Sequence, residues 1–353
     1  MSKRITQQHI ADALQLSRNT VSKALNNEEG LKEETRVRIV KQAIQMGYTK
    51  FPPGLLESIS KLSEHREPTP DPNKSRLIAL LSHSDYMGNY YWSQFLSGLN
   101  SSLKEAGYTV AMAIVDLDEE NELRLPPLFS MQRPAGMITI GSFLQSYYEH
   151  LEQTGIPALF VDTFATFNMN ELKTDILTMN NSDSVYQMTK SILANGYTSI
   201  GFVGDIGSCL SYWERWMGFN RAMEEAKLPM NEVLNITNTL PRHYYYKEQL
   251  RDALRENQER PQVYICANDA VAIELVHLLR EEGKRVPEDI LVTGFDNSGE
   301  LSLLQPSMPT VDVPKREMGL RAAELLKWRI DHPDRPKEFV RVATRVIGLN
   351  NLM

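Results

Sequence analysis

The sequence predicts a chain in two parts: an N-terminal all-α helix-turn-helix domain, then an α/β core of two doubly wound parallel-sheet lobes. Three observations predict this. Apolar residues at helical spacing fill the first fifty positions. From about residue 75, short apolar runs alternate with helical patterns, as in parallel sheets flanked by helices. The alternation then begins a second cycle after "DILTMNN", Asp175 to Asn181. With 353 residues, 42% hydrophobic and 24% charged, the chain has the makeup of a folded protein of more than one domain.

In "TQQHIADALQLSRNTVSKALNN", Thr6 can cap a helix from about Gln7 to Leu14. "QLS" makes a short turn, and Ser17 caps a second helix to about Asn26. Ile10, Ala11, Leu14, Leu16, Val21 and Leu25 form one buried stripe. The other face presents Ser17, Arg18, Asn19, Thr20, Ser22, Lys23 and Asn26, side chains of the kinds that meet phosphates and base edges. A third helix follows in "EETRVRIVKQAIQMGY", with Thr35 as its cap. Val37, Val40, Ala43 and Ile44 face inward, and Gly47 ends it. Residues 1–50 hold nine Lys/Arg and five Asp/Glu, a net of +4. The remainder holds 29 basic and 40 acidic residues, a net of -11. A basic head on an acidic body fits a separate module that reads double-stranded DNA.

In the body, "RLIALLSH", "TVAMAIVD", "GMITIG" and "PALFVDTF" are strands, with helices around Tyr91–Ala106 and Gln145–Thr154. "SIGFVGD", "VLNIT", "QVYICAND" and "ILVTGFDN" are the strands of the second cycle. "TVDVPKREMGLRAAELLKWRI" adds a helix and "EFVRVATRVIGL" a last strand. No phosphate-binding loop, dinucleotide fingerprint or G-x-S-x-G elbow occurs, and the seven His lack ligand spacing. An enzyme acting on a sugar or nucleotide is therefore the weaker alternative, and no cofactor or metal is expected. Cys209 and Cys266 read as small buried residues. With no membrane-length apolar run and no signal-peptide core in the first thirty residues, a cytoplasmic location is expected. Polar residues stand just beyond the strands, where parallel sheets gather ligand groups: Ser82, Asp85, Asp162, Asp205, Asn268, Asp269, Asp296 and Asn297. Tyr90, Tyr91, Trp92, Phe164, Trp213 and Trp216 crowd the same region. Half of these rings are expected to be core or dimer contacts, and the others could stack on the apolar faces of a sugar.

The head, with its frame "S-x-x-TVS-x-x-LN … TR-x-R-x … GY", resembles the DNA-binding domain of the LacI/GalR family of bacterial repressors. The resemblance implies that Arg18 and Asn19 begin the recognition helix and read base edges. Thr6, Ser17, Thr20, Ser22 and Asn26 would contact phosphates, and Lys23 a base or a phosphate. It continues through the body in "RWMGF" at Arg215–Phe219, "RVPEDILVTGFDN" ending at Asn297, and "PTVDVPKREMG", as in the family's periplasmic sugar-binding relatives. By that likeness Arg215, Asn268, Asp296 and Asp162 contact an effector, and Asp85 and Asn89 fall near a further family stretch. The implied organisation is a head at 1–51, a linker at 52–74 and an effector-binding body at 75–353. Three crossings would divide the body into lobe 1, about 75–178 and 311–337, and lobe 2, about 179–310 and 338–353. The implied protein is a homodimeric repressor of carbohydrate-utilisation genes on a palindromic operator, with a sugar-like effector. Family members that bind purines use a similar polar frame, which keeps a purine effector open.

The linker departs from the pattern. The family's Pro-Asn and "A-R-x-L" hinge helix, whose leucine enters the minor groove, are replaced by "TKFPPGLLESISKLSEH" and a proline-stiffened spacer "REPTPDPNKS". Glu57 occupies the leucine's place, and its charge would repel phosphates. Either a plain tether or a rearranged hinge helix is compatible with these residues. The rearranged helix predicts that Leu56 reaches the minor groove. Leu56→Ala should then weaken operator binding and reduce DNA bending, with Glu57→Ala as control. Deletions within 66–73 should be tolerated, since doubling a tether costs only about 0.6 kcal/mol. Unchanged affinity and bending in Leu56→Ala would establish the plain tether.

Overall fold

Thr6 opens the first helix with a reciprocal cap. Its hydroxyl accepts from the His9 amide at 3.4 Å, and the His9 ring accepts from the Thr6 amide at 3.3 Å. Helix α1 (Gln7–Leu14) is followed by α2 (Arg18–Leu25), where the Ser17 hydroxyl accepts from the Thr20 amide at 3.1 Å. Helix α3 (Glu33–Gln45) starts after Lys32, without a side-chain cap, so Thr35 lies inside the first turn rather than at the cap. Ile44 is half exposed, and Ile39 takes the inward position beside Val40 and Ala43. Ile39 and Val40 together shift the buried stripe, which turns Ile44 outward rather than inward. The computed structural model describes residues 5–28, 30–52, 55, 75–84, 90–229, 231–237, 246–256, 259–304 and 308–349. Leu56, Asp85 and Asn89 lie outside the described residues.

The chain divides into two compact units, Met1–Pro72 and Asn73–Met353. The head's core joins Ile10, Ala11, Val21, Ala24, Leu25, Ile39, Val40 and Ala43, and Leu55 is buried with them at 1% exposure. The packed head thus extends past residue 51, because three short helices leave an apolar face that Leu55 completes.

In the body, a six-stranded parallel sheet runs in the order β10-β5-β4-β3-β1-β2. Its strands are β1 (Leu77–Ser82), β2 (Thr109–Ile114), β3 (Gly136–Ile140), β4 (Ala158–Val161), β5 (Asp175–Met179) and β10 (Phe339–Val342). Helices α4 (Tyr90–Glu105) and α12 (Lys315–Asp331) pack on the face carrying Ile78, Leu80, Ile138 and Leu159. The other face carries Ala79, Leu81, Met137 and Phe160, covered by α7 (Gln145–Gln153); the short helices α5 (Leu117–Asn121) and α6 (Leu128–Met131) precede it. A second parallel sheet, β6-β7-β8, uses β6 (Ile200–Val203), β7 (Val263–Cys266) and β8 (Leu291–Thr293). Helices α8 (Ser182–Ala194) and α9 (Leu210–Glu225) cover one face; α10 (Tyr246–Glu256) and α11 (Asp269–Glu281) cover the other. Both lobes bury alternate strand residues on opposite faces, which is why their strands read as continuous apolar runs.

Two strand expectations change. "VLNIT" is a 3-10 turn at Glu232–Leu234 followed by a single bridge from Ile236 to Val203, because the Asn231 side chain caps the turn instead. "EFVRVATRVIGL" forms two strands. β10 pairs with β5 in the first lobe, and β11 (Arg345–Ile347) pairs antiparallel with β9 (Thr310–Asp312). The third crossing therefore falls at 343–344, not near 338. It is tied down by the Asn180 amide on the Val342 carbonyl (2.9 Å) and the Thr344 hydroxyl on the Asn180 carbonyl (3.2 Å).

At the far end of the first lobe, Arg329 and Asp175 form a two-bond ion pair, 2.7 and 2.8 Å, at 1% and 2% side-chain exposure. The same guanidinium donates to the carbonyls of Arg335 (2.7 Å) and Pro336 (2.8 Å). Arg329→Met leaves Asp175 charged and buried, and should cost about 3–5 kcal/mol in denaturant unfolding. Arg321→Ala, which removes the exposed pair with Glu324, should cost less than about 1 kcal/mol. Equal losses would contradict this account of the pair.

Candidate DNA-reading face and effector cleft

Arg18 and Asn19 are exposed in the first turn of α2, and neither side chain hydrogen-bonds to any described residue. Lys23 is half-buried in the last turn of the same helix. The other polar residues of this face are engaged locally. Thr6 and Ser17 cap helices, the Ser17 and Thr20 hydroxyls lie 2.8 Å apart, and the Asn26 amide donates to the Ser22 hydroxyl at 3.3 Å. This divides the set by chemistry. Two extended side chains are free to reach a ligand, whereas the short hydroxyls are held where helix ends need them.

In the body, the carboxyl ends of both sheets meet around Arg215, which is 3% exposed. Its Nε donates to the Asn181 side-chain oxygen (3.0 Å), Nη1 to the Ala267 carbonyl (2.6 Å), and Nη2 lies 3.2 Å from the Met179 sulfur. Met179 ends β5 and Ala267 follows β7, so one guanidinium touches both lobes. It stacks on the Phe295 ring at 3.6 Å and lies 3.8 Å from Asp296. The R-x-x-G spacing has a packing reason too: a Cβ on Gly218 would come within 2.1 Å of the Ser182 carbonyl oxygen. That glycine lets α9 press onto the start of α8 and bring Arg215 to the junction.

Asp162 follows β4 in the left-handed region, φ 71°. Its carboxylate accepts from the Thr163 amide (2.8 Å) and, across the lobes, from the Ser211 amide (3.1 Å). The Leu210 amide donates to the Thr163 carbonyl at 2.8 Å, and the Ser142 hydroxyl donates to the Ser208 carbonyl. The amino end of α9 is therefore held by the first lobe, a favourable place for a carboxylate. Burial raises the Asp162 carboxyl above its usual range.

Asn268 caps α11, accepting from the Val271 amide at 2.9 Å, and its amide nitrogen makes no hydrogen bond among the described residues. Asp296 and Asn297 have positive φ, 112° and 52°, where the chain leaves β8. The Asp296 amide donates to the Val311 carbonyl (2.9 Å), and the Asn297 side chain donates to Asp312 (2.9 Å). Behind them, fully buried Asp269 accepts from the Ser298 amide (2.6 Å) and the Thr310 hydroxyl (2.7 Å). A Cβ on Gly294 would stand 2.0 Å from its carboxylate, so this carboxylate needs the glycine before Phe295. Lys315 donates to the Asn297 carbonyl at 3.1 Å. Burial pushes the Asp296 carboxyl up to about 6, against Arg215 and Lys315, and burial with the Asp296 charge pushes Asp269 up to about 7.

Arg215, Asp162, Asn268 and Asp296 thus come together at the facing sheet ends. Ser82 and Asp205 are turned into their own loops instead, Ser82 toward the His83 carbonyl and Asp205 onto the Gly207 amide. The aromatic set divides as well. Trp92 packs on Phe95 and Tyr91, Trp216 on Phe202 and Phe219, and Phe164 on Tyr148 and Phe167, while Tyr90 and Trp213 stay exposed. Sequence reasoning passed over Asn181, which links Arg215 to Glu214 (3.0 Å) and through it to Arg341. Its signal was its place directly after β5, at the first crossing between lobes. No group of three or more His, Cys, Asp or Glu that could hold a metal ion occurs among the described residues, and no described helix is long and apolar enough to cross a membrane.

The charge pattern at the crossing predicts a pH dependence. Unfolded, both carboxyls titrate near 3.8; folded, Asp296 titrates near 6 and Asp269 near 7. Between those values the folded chain keeps protons that the unfolded chain has lost. Their stabilising effect is complete below about pH 4 and is lost as pH rises through about 6 to 7. Each such proton corresponds to about 1.4 kcal/mol per pH unit. Urea unfolding of Asp296→Asn should show a shallower decline up to about pH 6 and run parallel to the parent chain above about pH 7. An unchanged slope would mean that Asp296 is charged throughout.

Comparison with known proteins agrees with this fold. A family profile described as a periplasmic binding protein-like domain matches residues 189–348. The chain is 25% identical over 339 residues to the HTH-type transcriptional repressor PurR of Vibrio parahaemolyticus, covering 96% of this chain and 95% of the relative. It is 30% identical over 257 residues to an arabinose metabolism transcriptional repressor of Halalkalibacterium halodurans, covering 70% and 66%. Its fold is similar to that of a transcriptional regulator CelR–cellobiose complex, with TM-score 0.67, 20% identity, and coverage of 98% and 99%. The chain belongs to the LacI/GalR family of bacterial transcriptional regulators and is a repressor, not an enzyme.

Proposed function

We propose that this repressor binds a palindromic operator as a homodimer and that a sugar-like effector between its lobes changes operator affinity. The observation that carries the reading is the Arg215 junction, where one buried side chain meets the Met179 sulfur at the end of a first-lobe strand and the Ala267 carbonyl of the second lobe. Of the five guanidinium N–H groups three are engaged, and the remaining two lie on hand for adjacent hydroxyls beside Asp296 and the free Asn268 amide. Carboxylates and amides suit a ligand rich in hydroxyl donors. The solved relative bound to cellobiose and the arabinose-named relative support the sugar class. Genes of carbohydrate use are the targets that this reading implies. Edge strand β2 leaves Met112 and Ile114 45% and 42% exposed, and Leu117 follows at 39%. Such an apolar edge on the first lobe suits a second copy of the chain. In the head, Arg18 would read guanine and Asn19 adenine, while Lys23 and the polar residues around α2 lie against the backbone.

A thermal-shift screen against mono- and oligosaccharides, sugar phosphates and nucleosides tests the effector class, because a selective ligand raises apparent stability by mass action. A saccharide should stabilise the chain, and Arg215→Ala should leave operator binding intact but make it insensitive to that saccharide. Stabilisation by a nucleoside alone would move the effector to the purine class. Arg18→Ala and Asn19→Ala should each cost about 1–3 kcal/mol on the specific operator with little loss on random DNA. Equal losses on both DNAs would assign that residue to phosphate binding.

A further inference from the structure

The edge of the six-stranded sheet away from the Arg215 junction holds a cavity of about 400 Å³. It lies where β4, β5 and β10 begin, between the end of α7 and the segment after α12. The volume is in the range of small-molecule pockets. Its charged lining comes in two pairs: Glu149 and Glu152 from α7, and Lys173 and Lys337 from the approaches to β5 and β10. Arg329 also borders it, but that guanidinium is spent on Asp175 and on the loop carbonyls, which pins the cavity's rim.

The four remaining charges form no close ion pair, and Glu152 feels Lys173 and Lys337 only at longer range. Glu149 accepts from Gln145 at 2.9 Å and Glu152 from the Thr174 hydroxyl at 3.0 Å. Neither lysine comes within 4.0 Å of a carboxylate among the described residues. Burial raises the Glu152 carboxyl, and burial followed by the Arg329 charge lowers the Lys337 ammonium. Both groups would gain from a partner of opposite charge. A simple anion would satisfy the lysines but face two carboxylates, and a simple cation would meet the reverse problem. We infer that this cavity binds a small zwitterion of the α-amino-acid type, with its carboxylate on Lys173 and Lys337 and its ammonium on Glu152 and Glu149. The site is separate from the effector cleft, which lies at the opposite ends of the same strands, so it does not depend on the effector reading. β5 and β10 lead from the cavity to the crossings at Asn180 and at 343–344, so an occupant here would act on the strands that the cleft also uses.

The test is a thermal-shift and calorimetric titration of the full chain with each common amino acid, with acetate and inorganic phosphate as controls. At least one amino acid should bind saturably. Its N-acetyl and its carboxamide forms should each bind about tenfold more weakly or worse, since each loses one charge. Lys337→Met and Glu152→Gln should weaken it by a similar factor, with Lys173→Met as a second variant on an exposed residue should either fail to fold. Asp296→Asn should bind it unchanged. The inference is overturned if no amino acid binds, if a blocked form, acetate or phosphate binds equally well, or if binding survives all three cavity variants. Loss in Asp296→Asn without loss in the cavity variants would place the ligand in the cleft and also overturn it.

Discussion

Burying a guanidinium strips it of water, a cost that only surrounding partners can offset, and Arg215 has them on every side. Met179 comes from the first lobe, Asn181 from the crossing that follows it, and Ala267, Phe295 and Asp296 from the second lobe. Removing either lobe's share would leave a cation without compensation, so the position of each sheet end is tied to the other through this one side chain. Asn181 spreads the tie. It also donates to Thr178, Ser211 and Glu214, and Glu214 accepts from Arg341 on β10. The junction therefore reaches the first crossing and a strand next to the third.

The second crossing is built on a different balance. Asp269 and Asp296 share a small volume with Asp312, and Lys315 together with backbone amides and hydroxyls offsets their charge. Burial works against that charge, which is why both carboxyls titrate far above their usual range. Asp162 shows the same tension where it holds the amino end of α9. Groups whose charged state is only narrowly favoured respond strongly to a nearby ligand or proton. Their concentration at the facing sheet ends suits a protein whose two lobes have to sense what lies between them.

The head follows a simpler logic. Its helices are short, so most of their stability comes from a shared apolar face and from caps. That requirement takes Thr6, Ser17 and, at one remove, Thr20 into local bonds, and it recruits Leu55 from the segment after α3. Arg18 and Asn19 are spared because they sit in the first exposed turn, where no packing needs them.

Strands of the parallel sheets were legible because both of their faces are buried, which writes an apolar run directly into the sequence. The caps of α1 and α2 were legible because a hydroxyl before an apolar stripe has one dominant use. Arg215, Asn268 and Asp296 could be placed by their motif. What they are bonded to could not. Whether "VLNIT" is a strand depends on the neighbour it meets, and Asn231 settles it as a turn. Whether "EFVRVATRVIGL" is one strand or two depends on β5 and β9, which lie far away in sequence. The same holds for Ile44, for the rings of Trp92 and Trp216, and for the carboxylate of Asp162. Sequence by itself determined which segments are regular and where polar groups end them, because those choices depend on residues a few positions apart. Only the tertiary structure decided which polar groups are spent on each other and which remain for a ligand, because burial and partnership arise between segments that the chain brings together last.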